Sequence, residues 1–156
     1  MTEKNTMSGG CMCGAVRFEA AGDNHGVTHC HCHSCRKHNG GPVVTLAGYK
    51  KDQVTFSGDQ RNIYESSPGV GRAFCGKCGT PLTWEGEAGE LGYFFEFHIS
   101  TFDKPERLIP TSHAFEPERI PWFDIADDLP RYEGFSGDSP VLHHGPVASG
   151  LPTRES

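Results

Sequence analysis

The seven cysteines are the residues most able to do chemistry, and they fall into three groups. Cys11 and Cys13 form C-x-C. Cys30, Cys32 and Cys35 form C-x-C-x-x-C. Cys75 and Cys78 form C-x-x-C, with Gly76 and Gly79 around them. Thiolates suit zinc, and four of them close a tetrahedral structural site. Three protein ligands leave a fourth position for water or substrate, the pattern of catalytic zinc. Seven divides naturally into four and three. The triple group is compact enough to hold one ion alone, so Cys11 and Cys13 are the natural partners of Cys75 and Cys78. That closure would tie residue 11 to residue 78. One structural zinc with three unrelated buried cysteines is the alternative, and iron is left open by spacing alone.

The histidines around the triple group are His29, His31, His33 and His38. In a strand-like stretch, residues 29, 31 and 33 would point away from Cys30 and Cys32 by alternation. They are therefore read as packing, solvent-facing or proton-shuttling rather than as ligands. His98 and His113, in other segments, are read as structural or exposed. Phe94, Phe95 and Phe97 are read as alternating core, and so are Trp84 and Trp122.

The elements that must position these groups are mostly strands. Gly and Pro supply 20 and 11 of the 156 residues, and the apolar fraction is 35%. The chain therefore turns often around a modest core. Strand signals run over 15–20, 42–48, 53–56, 62–65, 71–74, 81–85 and 91–99, separated by turn clusters. Strands at this spacing indicate an all-β sandwich or barrel. The one helical piece expected is Ser34–Asn39, ended by Gly40 and Gly41. Asp103–Arg107 could form a single turn. Residues 1–8 read as a flexible leader, 9–132 as the zinc-binding domain, and 133–156 as a mobile tail in which Phe135, Val141 and Leu142 could dock.

Composition excludes several classes. The net charge is −6 and no basic stretch exceeds two residues, so an electrostatic case for nucleic acid or anionic membrane fails. No apolar run approaches the roughly 20 residues that span a bilayer. The polar start lacks the apolar core of a signal peptide. A cytoplasmic location is expected, where thiols stay reduced and serve as metal ligands or catalysts.

Three stretches carry a resemblance to a known family. They are Gly9-Gly10-Cys11-Met12-Cys13-Gly14-Ala15-Val16-Arg17-Phe18, Cys30-His31-Cys32-His33-Ser34-Cys35-Arg36-Lys37, and Arg72-Ala73-Phe74-Cys75-Gly76-Lys77-Cys78-Gly79-Thr80-Pro81-Leu82. With Asp128-Leu129-Pro130-Arg131-Tyr132, they resemble the glutathione-dependent formaldehyde-activating enzymes, or S-(hydroxymethyl)glutathione synthases, to which centromere protein V is related. The resemblance covers about residues 9 to 132. It implies an Mss4-like β-fold with two zinc ions. Cys11, Cys13, Cys75 and Cys78 would hold the structural ion, and Cys30, Cys32 and Cys35 the catalytic one. It also implies carbon–sulfur lyase chemistry that joins glutathione to formaldehyde or another small aldehyde. Arg36 and Lys37, beside the open site, could pair with the carboxylates of glutathione. The alternatives are a non-catalytic thiol carrier or zinc-binding module, and a redox protein, which would need a cysteine outside the metal sites.

Overall fold

The structure is a computed structural model that describes residues 5–135. Val141, Leu142 and the rest of the expected tail beyond Phe135 lie outside the described residues. The strands are β1 (Thr6–Gly10), β2 (Val16–Ala21), β3 (Val27–Cys30), β4 (Val44–Lys50), β5 (Val54–Gly58), β6 (Asn62–Ser67), β7 (Val70–Phe74), β8 (Pro81–Glu87), β9 (Tyr93–His98) and β10 (Ser112–Ala114). The single α-helix among the described residues is α1 (His33–Asn39). The protein is thus mainly β, as its turn-rich composition indicates.

The chain divides into two units. The first runs up to Val27 and from Thr45 to Ile109; the second covers Thr28–Val44 and continues from Pro110. In the first, β1, β2 and β5 form an antiparallel sheet with β2 in the middle. Strands β4, β9, β8, β7 and β6 form a second antiparallel array in that order. The alternation of β2 drives their packing: Val16, Phe18 and Ala20 are buried while Glu19 is exposed. Phe18 stacks on Phe97 of β9 with ring centroids 4.1 Å apart, and Phe56 of β5 meets Phe95 edge-on at 5.5 Å. Tyr49 and Phe102 complete the ring of aromatics around Phe97. This is a sandwich core built by inward-facing residues of two sheets. Gly9 is required where β1 crosses this core, because a Cβ there would strike the Phe18 ring and the Thr101 carbonyl.

A polar anchor lies in the same unit. Glu85 is 1% exposed and accepts from Arg61 at 2.9 and 3.1 Å, from Thr83 at 2.7 Å and from the Tyr93 hydroxyl at 3.3 Å. The Arg61 guanidinium also lies 4.0 Å over the Phe56 ring. A buried carboxylate with this many donors is satisfied rather than strained.

In the second unit, β3 pairs parallel with β10, which sets His29 opposite His113. Helix α1 follows directly, capped at its start by Cys32 and ended by Gly40 in the left-handed region, φ 78°. It begins one residue earlier than expected.

Two expectations change, those for the leader and for Trp122, while Phe135 docks as allowed. Strand β1 starts at Thr6 and buries Met7, so the ordered fold reaches into the segment read as a leader. At the other end, Phe135 packs edge-on against Phe115, and the Phe115 amide donates to the Gly134 carbonyl. Trp122 is 77% exposed and belongs to no core; Phe94, Phe95 and Phe97 are buried as expected. No helix among the described residues is long and apolar enough to cross a membrane.

Replacing Phe97 by Ala should cost about 3–5 kcal/mol, because it empties the centre of the aromatic cluster. Urea unfolding with an unchanged slope would measure it; a loss below about 1 kcal/mol would show that the cluster is not the core.

Candidate metal centres

The turn between β1 and β2 carries Cys11 and Cys13, and the knuckle between β7 and β8 carries Cys75 and Cys78. The Cys11 and Cys13 sulfurs lie 3.6 Å apart, and those of Cys13 and Cys75 3.8 Å apart. All four ligand atoms fall within 4.8 Å of one another. Four sulfurs about 2.3 Å from a central zinc sit roughly 3.8 Å apart, so the spacing matches a tetrahedral thiolate site. The cysteines are all free, not disulfide-bonded.

Local backbone geometry aims donors at these sulfurs. The Val16 amide donates to Cys11 Sγ at 3.3 Å, the Lys77 amide to Cys75 Sγ at 3.4 Å, and Thr80 Oγ1 lies 3.1 Å from Cys78 Sγ. The hydroxyl and amide of Thr80 lower the Cys78 pKa to about 5. Burial disfavours ionisation of Cys11, but hydrogen bonds from the Val16 amide, Cys13 and Cys75 together outweigh it and lower that pKa. For Cys13 the Ala15 amide favours the thiolate, but the neighbouring Cys11 and the other sulfurs push the pKa up to about 11. Several thiolates crowded together repel one another unless a cation lies among them, and these residues fit zinc on that ground.

The second cluster has a different shape. Cys30 ends β3, Cys32 caps α1 and Cys35 lies in its first turn. The Cys35 amide donates to Cys32 Sγ at 3.3 Å. The three sulfurs lie within 4.8 Å of one another, and no other His, Cys, Asp or Glu among the described residues completes the set. Hydrogen bonds with Cys32 and Cys35, then burial, push the Cys30 thiol well above its ordinary range. Three mutually facing sulfurs fit a thiophilic cation with one position open.

None of the four neighbouring histidines joins that cluster. His31 turns away from it and is fully buried, with Nε2 2.8 Å from His113 Nδ1. The Asp127 carboxylate lies 2.9 and 3.1 Å from His113 Nε2 and can only accept. His113 therefore donates from Nε2 to Asp127, and one proton is shared on the contact between His31 Nε2 and His113 Nδ1. Burial, followed by repulsion from His113, lowers the His31 pKa to about 3, which keeps it neutral.

Beside this pair sits a buried carboxylate, Glu116. Arg119 Nε donates to it at 3.0 Å, and Arg131 Nη1 at 3.0 and 3.1 Å. The guanidiniums also reach backbone carbonyls, Arg119 that of Phe123 at 2.7 Å and Arg131 that of Ile125 at 2.8 Å. His31, His113 and Glu116, or His29, His113 and Asp127, are near enough to share an ion. Yet Arg119 and Arg131 already neutralise Glu116, and Arg131 lies 3.6 Å from Asp127. These two sets therefore do not fit a divalent cation.

Arg36 is tied into the fold. Its Nε donates to the His31 carbonyl at 3.0 Å and its Nη2 to the Glu118 carbonyl at 3.1 Å. Lys37 is exposed. Sequence reasoning missed the buried network because its partners lie 82 positions apart in the chain. Only the run Asp127-Asp128-Leu129-Pro130-Arg131 hints at it.

Residues 6–118 match the family described as glutathione-dependent formaldehyde-activating enzyme. The chain belongs to that family. Within it, the chain is 31% identical over 113 residues to an uncharacterized lyase of Schizosaccharomyces pombe, covering 63% of this chain and 80% of that one. It is 33% identical over 85 residues to a Halomonas elongata protein provisionally named a glutathione-dependent formaldehyde-activating enzyme, covering 49% of this chain and 54% of that protein. A crystal structure of a Rhodobacter sphaeroides protein shares the fold at a TM-score of 0.50 and 17% identity, over 62% of this chain and 88% of the other.

Glu116→Ala should cost about 3–5 kcal/mol, because it takes from the buried Arg119 and Arg131 guanidiniums the carboxylate they share. Chemical denaturation would read it, with Glu116→Gln as a milder companion. Equal stability of Glu116→Ala and the parent would contradict the network's role.

Proposed function

We propose that this chain is a zinc-dependent carbon–sulfur lyase working in the synthetic direction on glutathione and formaldehyde, or another small aldehyde. The observation that carries this reading is the open three-sulfur set of Cys30, Cys32 and Cys35 in a member of this family. The four-sulfur set of Cys11, Cys13, Cys75 and Cys78 is proposed as the structural site.

Zinc held by Cys30, Cys32 and Cys35 would lower the pKa of a coordinating thiol and so supply the substrate as a thiolate. In the net reaction the glutathione sulfur bonds to the aldehyde carbon and the C=O π bond opens. The proton given up by the thiol ends on oxygen, which yields an S-hydroxyalkyl adduct. The chain's own residues position the components. Cys32 fixes the start of α1, and the Arg36 guanidinium holds the following turn to the Glu118 carbonyl. Arg36 and Lys37 provide positive charge for the carboxylates of glutathione. Holding the two reactants together replaces an encounter in solution with a local one.

Cys32→Ser separates catalysis from folding. Serine is a good N-cap, so α1 keeps its start while the soft ligand is lost. The variant should retain the circular dichroism spectrum of the parent, and adduct formation should fall to the uncatalysed rate. A parent that shows no rate above that background would make the chain a thiol carrier instead, and an active Cys32→Ser would remove this residue from the site.

A further inference from the structure

An open cleft of about 470 Å³ lies in the second unit, lined by His33, Arg36, Lys37, Gly40-Gly41-Pro42, Ile120 and Trp122. Its volume is within the roughly 300–1,000 Å³ of small-molecule sites. The lining holds two permanent cations and no acid, in a chain whose net charge is −6. The lining also includes Ile120 and the indole of Trp122, which is 77% exposed. Both residues lie beyond residue 118, where the family match ends. These two residues are therefore a feature of the chain that the shared cysteine motifs do not account for.

We infer that this cleft binds the carboxylate-bearing tail of a short peptide thiol, with Lys37 and Arg36 facing the anion and Trp122 as the platform for the peptide chain. The inference rests on the proposed thiol chemistry at Cys30, Cys32 and Cys35, and names where the rest of that substrate lies. Helical rise puts Arg36 and Lys37 about 6–7.5 Å along the axis from Cys32. An extended peptide covers that length in about two residues. A carboxylate so placed meets charge while the amide planes lie over the indole. Arg36 spends Nε and Nη2 on carbonyls, so the exposed Lys37 is the more adjustable of the two cations. Trp122 acts on recognition and takes no part in bond making.

The chain has two tryptophans, so Trp84→Phe leaves Trp122 as the sole indole reporter. S-methylglutathione is the probe, because it has the tail but no free thiol. Titrated into zinc-loaded Trp84→Phe protein, it should change the fluorescence saturably. Adding Lys37→Glu should weaken that binding about tenfold or more, and 2-mercaptoethanol, which lacks carboxylates, should give no such response. No response to S-methylglutathione, or an identical curve for Lys37→Glu, would overturn the cleft. Steady-state turnover keeps the two readings apart. Binding in the cleft by a protein without turnover would support the cleft and sink the lyase; turnover without a Trp122 response would sink the cleft alone.

Discussion

Several cysteine sulfurs must meet at one point, and like-charged thiolates do so stably only around a cation. In the first unit this condition joins two turns far apart in the chain. The β1–β2 turn brings Cys11 and Cys13, and the β7–β8 knuckle brings Cys75 and Cys78. Amides of Val16 and Lys77 and the Thr80 hydroxyl are aimed at sulfur, so the turns are shaped for the thiolate form. The packing beside them is modest, with Val16, Ala73 and Leu82 as its buried members. A small core of this kind gains much from a metal staple.

The second unit meets the same condition in another way. Its three cysteines come from one short stretch, so chain topology is not what holds them. They are held by what surrounds the loop: the cap of α1, the Arg36 bridge to the Glu118 carbonyl, and the buried Glu116 with its two arginines. The neutral His31 hydrogen-bonds to His113, which carries the hydrogen-bond chain onward to Asp127. Rigid support of this kind would keep three metal ligands in place and leave a fourth position available. One cluster is closed and surface-lying; the other is open and backed by a polar network.

Short-range signals were legible in the sequence. The division of the cysteines, the helix at residues 34–39 and most strands of the first unit follow from spacing, alternation and turn residues. Strand β1 escaped because Thr6-Met7-Ser8-Gly9-Gly10 has neither β-branched density nor clear alternation; the tight approach to Phe18 and Phe102 makes it a strand. Strand β10 is three residues long and exists through pairing with β3. Trp122 was misread because a lone aromatic is buried by default. The Glu116 network was invisible because its charges are ordinary in sequence and exceptional only in burial.

The most direct measurement is native mass spectrometry of the intact chain, set against its denatured mass, for the parent and for Cys32→Ser. Two zinc ions per parent chain and one in the variant are expected, since only the open set loses a ligand. A single ion in the parent, or the loss of both in the variant, would contradict the division into a closed and an open thiolate site.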